Sequence, residues 1–475
     1  MAMTNWILFI PELYTLAAAG VFFFFCLGRA RPGRDYAAAM VLSAAGLVLT
    51  VGTAGFEGLV FEGVYQVDLY SQVFKALIYF GFFLAVCLCA DLSGVDKARH
   101  SEFYLLLCLS TLAMMLLASS VHLLTIYISL EISSYSLYVL VYFRRGYPKG
   151  AAPAFQYFVF GAASSAVMLF GFALVYGAFG TAHMAELMGQ VPARINEPLV
   201  FTGFVLSLSG FFFKLAVFPF HFWAPEAYEA APHQVSAYIA TASKVAAIAI
   251  LVRMIALTGG QSDRMAWVLI FVSVASMTAG NLAAIAQKDI KRLLAFSSVA
   301  HAGYVMIGIL SANAMGYTGA VFYGLSLMVM KFTCFMVVVK AADGGRNIKT
   351  DALAGLHQRA PVLALALLLA LFGLAGIPPT IGFTAKLLVF KAAMEQGLLW
   401  LVIIAMLNVV ISLYYYLGVL KAAYFTAPAS QPRAIAVSLP FRLLALAMIV
   451  FMVAGGLYPR YMTALAGAMT AGLLP

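Results

Sequence analysis

The chain has 475 residues, 64% hydrophobic and only 10% charged, with 28 Lys and Arg against 18 Asp and Glu and a formal net charge of +10. A mean hydropathy of +0.99 excludes a soluble globular domain, because no core of this size could bury so much apolar surface. Lipid must be the solvent for most of the chain, and backbone in lipid has to satisfy its own hydrogen bonds, which helices do.

Apolar runs long enough to cross a bilayer as helices recur from end to end, about fourteen of them. They fall near residues 5–27, 36–55, 69–90, 102–119, 121–143, 154–178, 200–218, 233–256, 265–285, 293–311, 315–340, 361–393, 398–424 and 438–456. The first is read as a mature helix, not a secretory signal: it is as long as a full span, carries Glu12 near its start and keeps its positive charges on the C-terminal side. The expected fold class is therefore an all-α polytopic membrane protein. No polar stretch is long enough for a soluble domain, so residues 1–475 form one membrane domain.

Most basic residues sit in the odd-numbered loops, among them Arg29, Arg31, Arg34, Lys97, Arg99, Arg144, Arg145, Lys149, Lys288, Lys291, Arg292, Lys340, Lys349 and Arg359. The even-numbered loops hold few. By the positive-inside rule the odd loops face the cytoplasm and both termini lie on the outer side. The basic excess thus encodes topology, and no nucleic-acid partner is implied.

Two spans are broken in a similar way. The seventh reads FFFKLAVFPFHFWAPE (211–226) around Pro219, and the twelfth reads GIPPTIGFTAK (376–386) around Pro378 and Pro379. Proline removes a helical donor and clashes with the preceding turn, so both helices should be discontinuous. Grouping spans 4–8 and 9–13 places each break in the fourth helix of a five-helix unit, and an odd number of helices inverts the second unit. The expected division is 1–100 for three leading helices, 101–257 for a first repeat, 258–426 for a second and inverted repeat, and 427–475 for the last helix. Inverted repeats with broken helices near the midplane are a transporter architecture.

Ionisable groups deep in a bilayer cost at least a few kcal/mol each, so each one present needs a reason. Glu131, within YISLEISSYSLYVLV and read as the only acidic residue deep inside any helix, requires either a proton and a hydrogen-bonding neighbour or a cation, for which Lys214 beside the first break is the natural partner. Lys244 lies mid-span in SAYIATASKVAAIAI, too deep to snorkel, and a buried lysine can exchange protons near neutrality. His301 lies at similar depth and is either a hydrogen-bonded core residue or a relay group. Lys331 is buried in the eleventh span, and Lys386 follows the second break, where freed backbone makes it the better exit group. Lys75, Arg253 and Lys391 are read as snorkelling, and the basic cluster of Lys288, Lys291 and Arg292 as topology, as are Arg144 and Arg145. The five cysteines, Cys26, Cys87, Cys89, Cys108 and Cys334, include no CxxC and read as core thiols. The sequence carries no GxGxxG after a strand, no phosphate-binding loop and no histidine pair at haem spacing, so no nucleotide, cluster or haem is expected on this chain. Any redox step would belong to partner subunits.

The stretch 211–244, FFFKLAVFPFHFWAPEAYEAAPHQVSAYIATASK, with AFSSVAHAGY (295–304) and the GIPPTIGFTAK break, resembles the subunit N family of bacterial NADH-quinone oxidoreductase, respiratory complex I, over essentially the whole chain. Trp-Ala-Pro-Glu, where sister subunits and multisubunit cation/proton antiporters typically read Trp-Leu-Pro, favours that family, as does a lysine at 386. The resemblance implies a fourteen-helix antiporter-like fold with inverted repeats and discontinuous seventh and twelfth helices. It places the family's fifth-helix glutamate on Glu131, its seventh- and eighth-helix lysines on Lys214 and Lys244, its tenth-helix histidine on His301 and its twelfth-helix lysine on Lys386. Lys331 rests on burial alone. His233 and Gln234 depart from the Thr-Pro that relatives usually carry.

What the resemblance implies for function is outward proton translocation across a bacterial inner membrane, coupled to quinone reduction elsewhere in the complex. Partners would be the neighbouring membrane subunits and lipid; NADH, FMN, iron-sulfur clusters and quinone would belong to partner subunits. The other functional class is a subunit of a multisubunit cation/proton antiporter, or of a related complex driven by ferredoxin or another donor.

Overall fold

A computed structural model describes residues 6–147, 149–260, 262–342, 344–427 and 434–473. Apart from one short hairpin, β1 (Gly58–Val60) with β2 (Tyr65–Val67), its regular structure is helical. In chain order the helices used below are α1 (Ile10–Cys26), α2 (Pro32–Gly52), α3 (Leu69–Leu88), α4 (His100–Ser119), α5 (Leu123–Tyr142), α6 (Ala152–Phe179), α7 (Met184–Arg194), α8 (Pro198–Ser207), α9 (Ser209–Leu215), α10 (Trp223–Ala230), α11 (His233–Ala240) and α12 (Ala242–Ala256). They continue with α13 (Asp263–Ile285), α14 (Ile290–Leu310), α15 (Ala314–Ala341), α16 (Pro361–Ala375), α17 (Ile381–Glu395), α18 (Leu399–Phe425), α19 (Leu439–Leu457) and α20 (Arg460–Thr470).

Among the described residues, twelve helical segments are long and apolar enough to span a membrane. The remaining two expected spans fall on shorter apolar helices, α1 and α16. Helix starts follow local chemistry. Asp68 and Ser71 form a reciprocal capping box at α3, and Ser262, Asp289 and Asn313 cap α13, α14 and α15 by accepting from first-turn N–H groups. Large apolar side chains such as Phe24, Val48, Phe170, Trp267, Leu407 and Val410 point outward, as suits a chain surrounded by lipid and other apolar membrane surfaces. Helices α11, α12, α14 and α15 form the interior and are buried almost all round.

The two proline breaks have the same local form. At the end of α9, Ala216 adopts a left-handed conformation (φ 58°, ψ 48°), and at the end of α16 Gly376 does the same (φ 85°, ψ 40°). One residue later the Val217 N–H donates to the Phe212 carbonyl and the Ile377 N–H to the Phe372 carbonyl, at 3.0 and 2.9 Å. These are Schellman-type closures, which turn the chain out of the helix and leave the last carbonyls without helical donors. A further kink divides α11 from α12 at Thr241 (φ −117°, ψ −89°), three residues before Lys244.

Candidate functional site

The carbonyls freed by the two breaks are where two of the expected lysines bind. Lys244 Nζ donates to the carbonyls of Lys214 (3.3 Å) and Leu215 (2.7 Å) and lies 5.3 Å from the centre of the Trp223 ring. Lys386 Nζ donates to the carbonyls of Leu374 and Ala375, both at 2.9 Å, and lies 5.0 Å from the Tyr304 ring. In each case the acceptors are the two residues just before the left-handed position, and an aromatic face covers the ammonium. Neither lysine has a carboxylate partner among the described residues.

The other two lysines bind serine hydroxyls. Lys214 Nζ donates to Ser133 Oγ at 2.6 Å and, more loosely, to Ser134 Oγ at 3.4 Å. Lys331 Nζ donates to Ser297 Oγ at 2.6 Å and to the Leu294 carbonyl at 2.8 Å. The direct ion pair expected between Glu131 and Lys214 is not formed. Glu131 accepts from Ser165 Oγ on α6, and the ammonium reaches α5 at Ser133, two residues on, where a helix presents a different face.

His301 joins this set through hydroxyls. Its Nδ1 is 2.8 Å from the Tyr323 hydroxyl and its Nε2 is 3.2 Å from that of Tyr416, which in turn is hydrogen-bonded to Ser297 Oγ. Lys331, Ser297, Tyr416, His301 and Tyr323 therefore make one continuous hydrogen-bonded chain. A second network lies beside Lys386: the Tyr415 hydroxyl donates to Asn281 Oδ1 at 3.0 Å, and Asn281 Nδ2 donates to the Asn408 carbonyl at 3.0 Å and reaches the Tyr304 hydroxyl at 3.4 Å. All six expected residues, Glu131, Lys214, Lys244, His301, Lys331 and Lys386, are buried. Sequence reasoning missed the serine and tyrosine partners, although the Ser-Ser pairs in EISSY and AFSSV repeat the same dipeptide under both lysines.

Three readings change. Lys75 does not snorkel: it is fully buried and its Nζ is 2.8 Å from the equally buried Glu12 carboxylate, because the hairpin covers the start of α3. Glu131 is accordingly not the only buried acid inside a helix, since Glu12 and Asp35 are buried too. Arg253 is buried and grips both oxygens of Asp68 at 2.8 and 2.9 Å. Lys391 is exposed, in keeping with its position near a helix end. His233 and Gln234 still begin a helix directly after Pro232, and Gln234 Nε2 ties it to the Asp91 carbonyl at 2.6 Å.

A model of the transmembrane family described as NADH:quinone oxidoreductase/Mrp antiporter matches residues 120–412. The chain belongs to this antiporter-like family. Within it the chain is 54% identical, over 99% of its length and 100% of the relative's, to NADH-quinone oxidoreductase subunit N 2 of Syntrophobacter fumaroxidans. It is 37% identical to the protein of the same name in Opitutus terrae, over 97% and 96% of the two chains. These relatives place it in the subunit N branch of the family. Among solved structures, a chain of respiratory complex I from Thermus thermophilus is 34% identical with a TM-score of 0.83, covering 97% of this chain and 99% of that one. A chain of the Mrp complex from Dietzia superposes with a TM-score of 0.88 at 22% identity, covering 100% and 98%, a likeness of fold alone.

Proposed function

We propose that this chain is the proton-translocating, antiporter-like membrane subunit of an NADH-quinone oxidoreductase, moving protons outward from the cytoplasm of a bacterial cell through Glu131, Lys214, Lys244, Lys331, His301 and Lys386. The observation that carries this reading is that four buried lysines are each held by neutral oxygens and not by carboxylates. Such oxygens stabilise an ammonium less than a carboxylate would, so its proton can leave. Redox partners, with their NADH, FMN, iron-sulfur clusters and quinone, lie in other subunits. Both termini face the outer side of the inner membrane, and two inverted five-helix units, 101–257 and 258–426, each carry one helix broken at proline.

Quinone reduction elsewhere changes the field or packing around Glu131 and Lys214, which alters the proton affinity of Lys244. A proton then passes to Lys331, along Ser297, Tyr416 and His301, and toward Lys386. Moving one charge against about 100 mV costs about 2.3 kcal/mol, while each unit of pKa change is worth about 1.4 kcal/mol, so changes of roughly two units suffice to drive a step.

The test is acidification by the whole complex in vesicles carrying Lys244→Ala, with and without sodium. Loss of pumping at intact assembly is expected, independent of sodium. Unimpaired pumping would remove the relay, and sodium-dependent transport without electron transfer would favour the cation/proton antiporter class.

A further inference from the structure

Helices α1 and α3 lie outside the segment that matches the family model, yet they carry the one membrane-embedded ion pair among the described residues in which both side chains are fully buried. Its surroundings are short of hydrogen bonds. Glu12 Oε1 receives both the Lys75 ammonium and the Tyr65 hydroxyl, at 2.8 and 2.6 Å, while Oε2 is buried without a partner. Lys75 has no acceptor beyond Glu12, though the Tyr65 ring lies 5.0 Å from its Nζ. Gln72 Oε1 and the Tyr79 hydroxyl are also buried and unpartnered. Gln72, Lys75 and Tyr79 are spaced three and four residues apart, so they line one face of α3 over a length of roughly 10 Å. Any side chain at Gly46 on α2 would overlap the Tyr79 hydroxyl, so that glycine makes room for the hydroxyl at the inner end of the row.

A pair kept only for stability gains most when its remaining lone pairs and protons are satisfied, and apolar replacements often serve as well. A file of buried polar atoms lacking protein partners is instead a place for water. The file also has a defined depth. Helix α3 runs against α12 with the Tyr70 hydroxyl donating to the Ala249 carbonyl at 2.7 Å near one end, and Gly81 set close against Ala242 at the other. Lys75 lies between those contacts on α3, and Lys244 lies between them on α12. The titratable and charged groups around the pair are Tyr65 on the hairpin, Asp68 at the start of α3 and Arg253 on α12, with Asp68 partly open to solvent.

We propose that Glu12 and Lys75 form a proton-exchanging pair in a hydrated file between α1 and α3, at the depth of Lys244 and beneath the hairpin that covers the start of α3. A proton passes from the Lys75 ammonium to the Glu12 carboxylate, giving a neutral amine beside a neutral acid. The acid releases its proton to water, the amine takes one from water on its other side, and the charged pair returns having passed one proton. As a branch of the pump this rests on the proposed function; the exchange itself does not.

The assembled complex is examined by pH-jump infrared difference spectroscopy in H2O and D2O. A protonated-carboxyl band that shifts in D2O and vanishes in Glu12→Gln is expected; spectra identical with and without Glu12 overturn the proposal. Where Glu12→Gln fails to assemble, Tyr79→Phe takes its place: slower deuterium exchange of the band supports the file, and an unchanged rate overturns it. For the branch, Glu12→Leu/Lys75→Met removes both charges without stranding either. At matched electron transfer its acidification should fall at least twofold, and full acidification overturns the branch. If Lys244→Ala still pumped while the Glu12 band persisted, the relay would fail and the exchanging pair would stand.

Discussion

Serine and tyrosine hydroxyls give two of the four ammonium groups a neighbour that can take and pass on a proton, as the proposed relay requires. An ammonium on a carbonyl, as at Lys244 and Lys386, can only hold its proton or give it to water. One on a serine, as at Lys214 and Lys331, touches a group that both accepts and donates. Tyr416 is the narrowest link, since its hydroxyl alone joins Ser297 to His301. Replacing it with phenylalanine keeps the ring packing and removes the link. Leaving buried partners short of a hydrogen bond costs about 1–3 kcal/mol, so a proton-transfer step through Lys331 should slow by roughly tenfold or more. The measurement is acidification rate against electron-transfer rate in vesicles, with Ser297→Ala as the matching variant. The lysines were legible in the sequence because charge in an apolar run is expensive. Their partners were not, because serine and tyrosine cost little inside a helix and occur throughout these spans.

At the scale of elements, the helix breaks turn backbone into a binding site. Prolines in two otherwise apolar runs made both breaks legible, and the apolar runs themselves gave the helices. The kink at Thr241 was not legible: no proline or glycine marks it, and it arises where α11 and α12 pack between α3 and α15. Lys75 was misjudged because distance from a helix start in sequence says nothing about the hairpin lying over that start. Gly376 tests the idea that the break geometry seats the lysine. Its φ of 85° is costly for any side chain, about 1–2 kcal/mol, and an added Cβ would stand 2.8 Å from Lys386 Cδ and 3.2 Å from its Nζ. Gly376→Ala should therefore displace Lys386 from the Leu374 and Ala375 carbonyls. Pumping should fall severalfold while helix content, read by circular dichroism of the purified complex, stays the same. Unchanged pumping would mean that Lys386 works without those carbonyls.

Across the whole molecule, one polar cluster ties the part of the chain before α12 to the part after it. Arg292 at the start of α14 donates to Glu226 at 2.7 Å and Glu229 at 2.8 Å, both on α10, and Lys149 reaches Glu226 at 2.7 Å. Arg144 binds the Glu229 carbonyl and Asn347 Oδ1 at 2.8 and 2.6 Å, bringing in the loop after α15. The basic residues that read as topology thus also fasten this face. Burial on its own would raise the Glu226 carboxyl, but hydrogen bonds and charge from Arg292 and Lys149 outweigh it and hold the group below its ordinary value of 4.5. A carboxylate whose folded value is depressed lends stability that is fully present above the unfolded value and is lost as pH falls through the folded one. The detergent-solubilised complex should accordingly keep a level melting temperature from neutrality down to about pH 5 and lose it progressively in stronger acid. Glu226→Gln should lower the neutral plateau, since Arg292 and Lys149 each lose a charged partner, and flatten the acid slope. Thermal unfolding followed across pH measures both. An acid slope as steep in Glu226→Gln as in the unaltered complex would show that this fastening lies elsewhere.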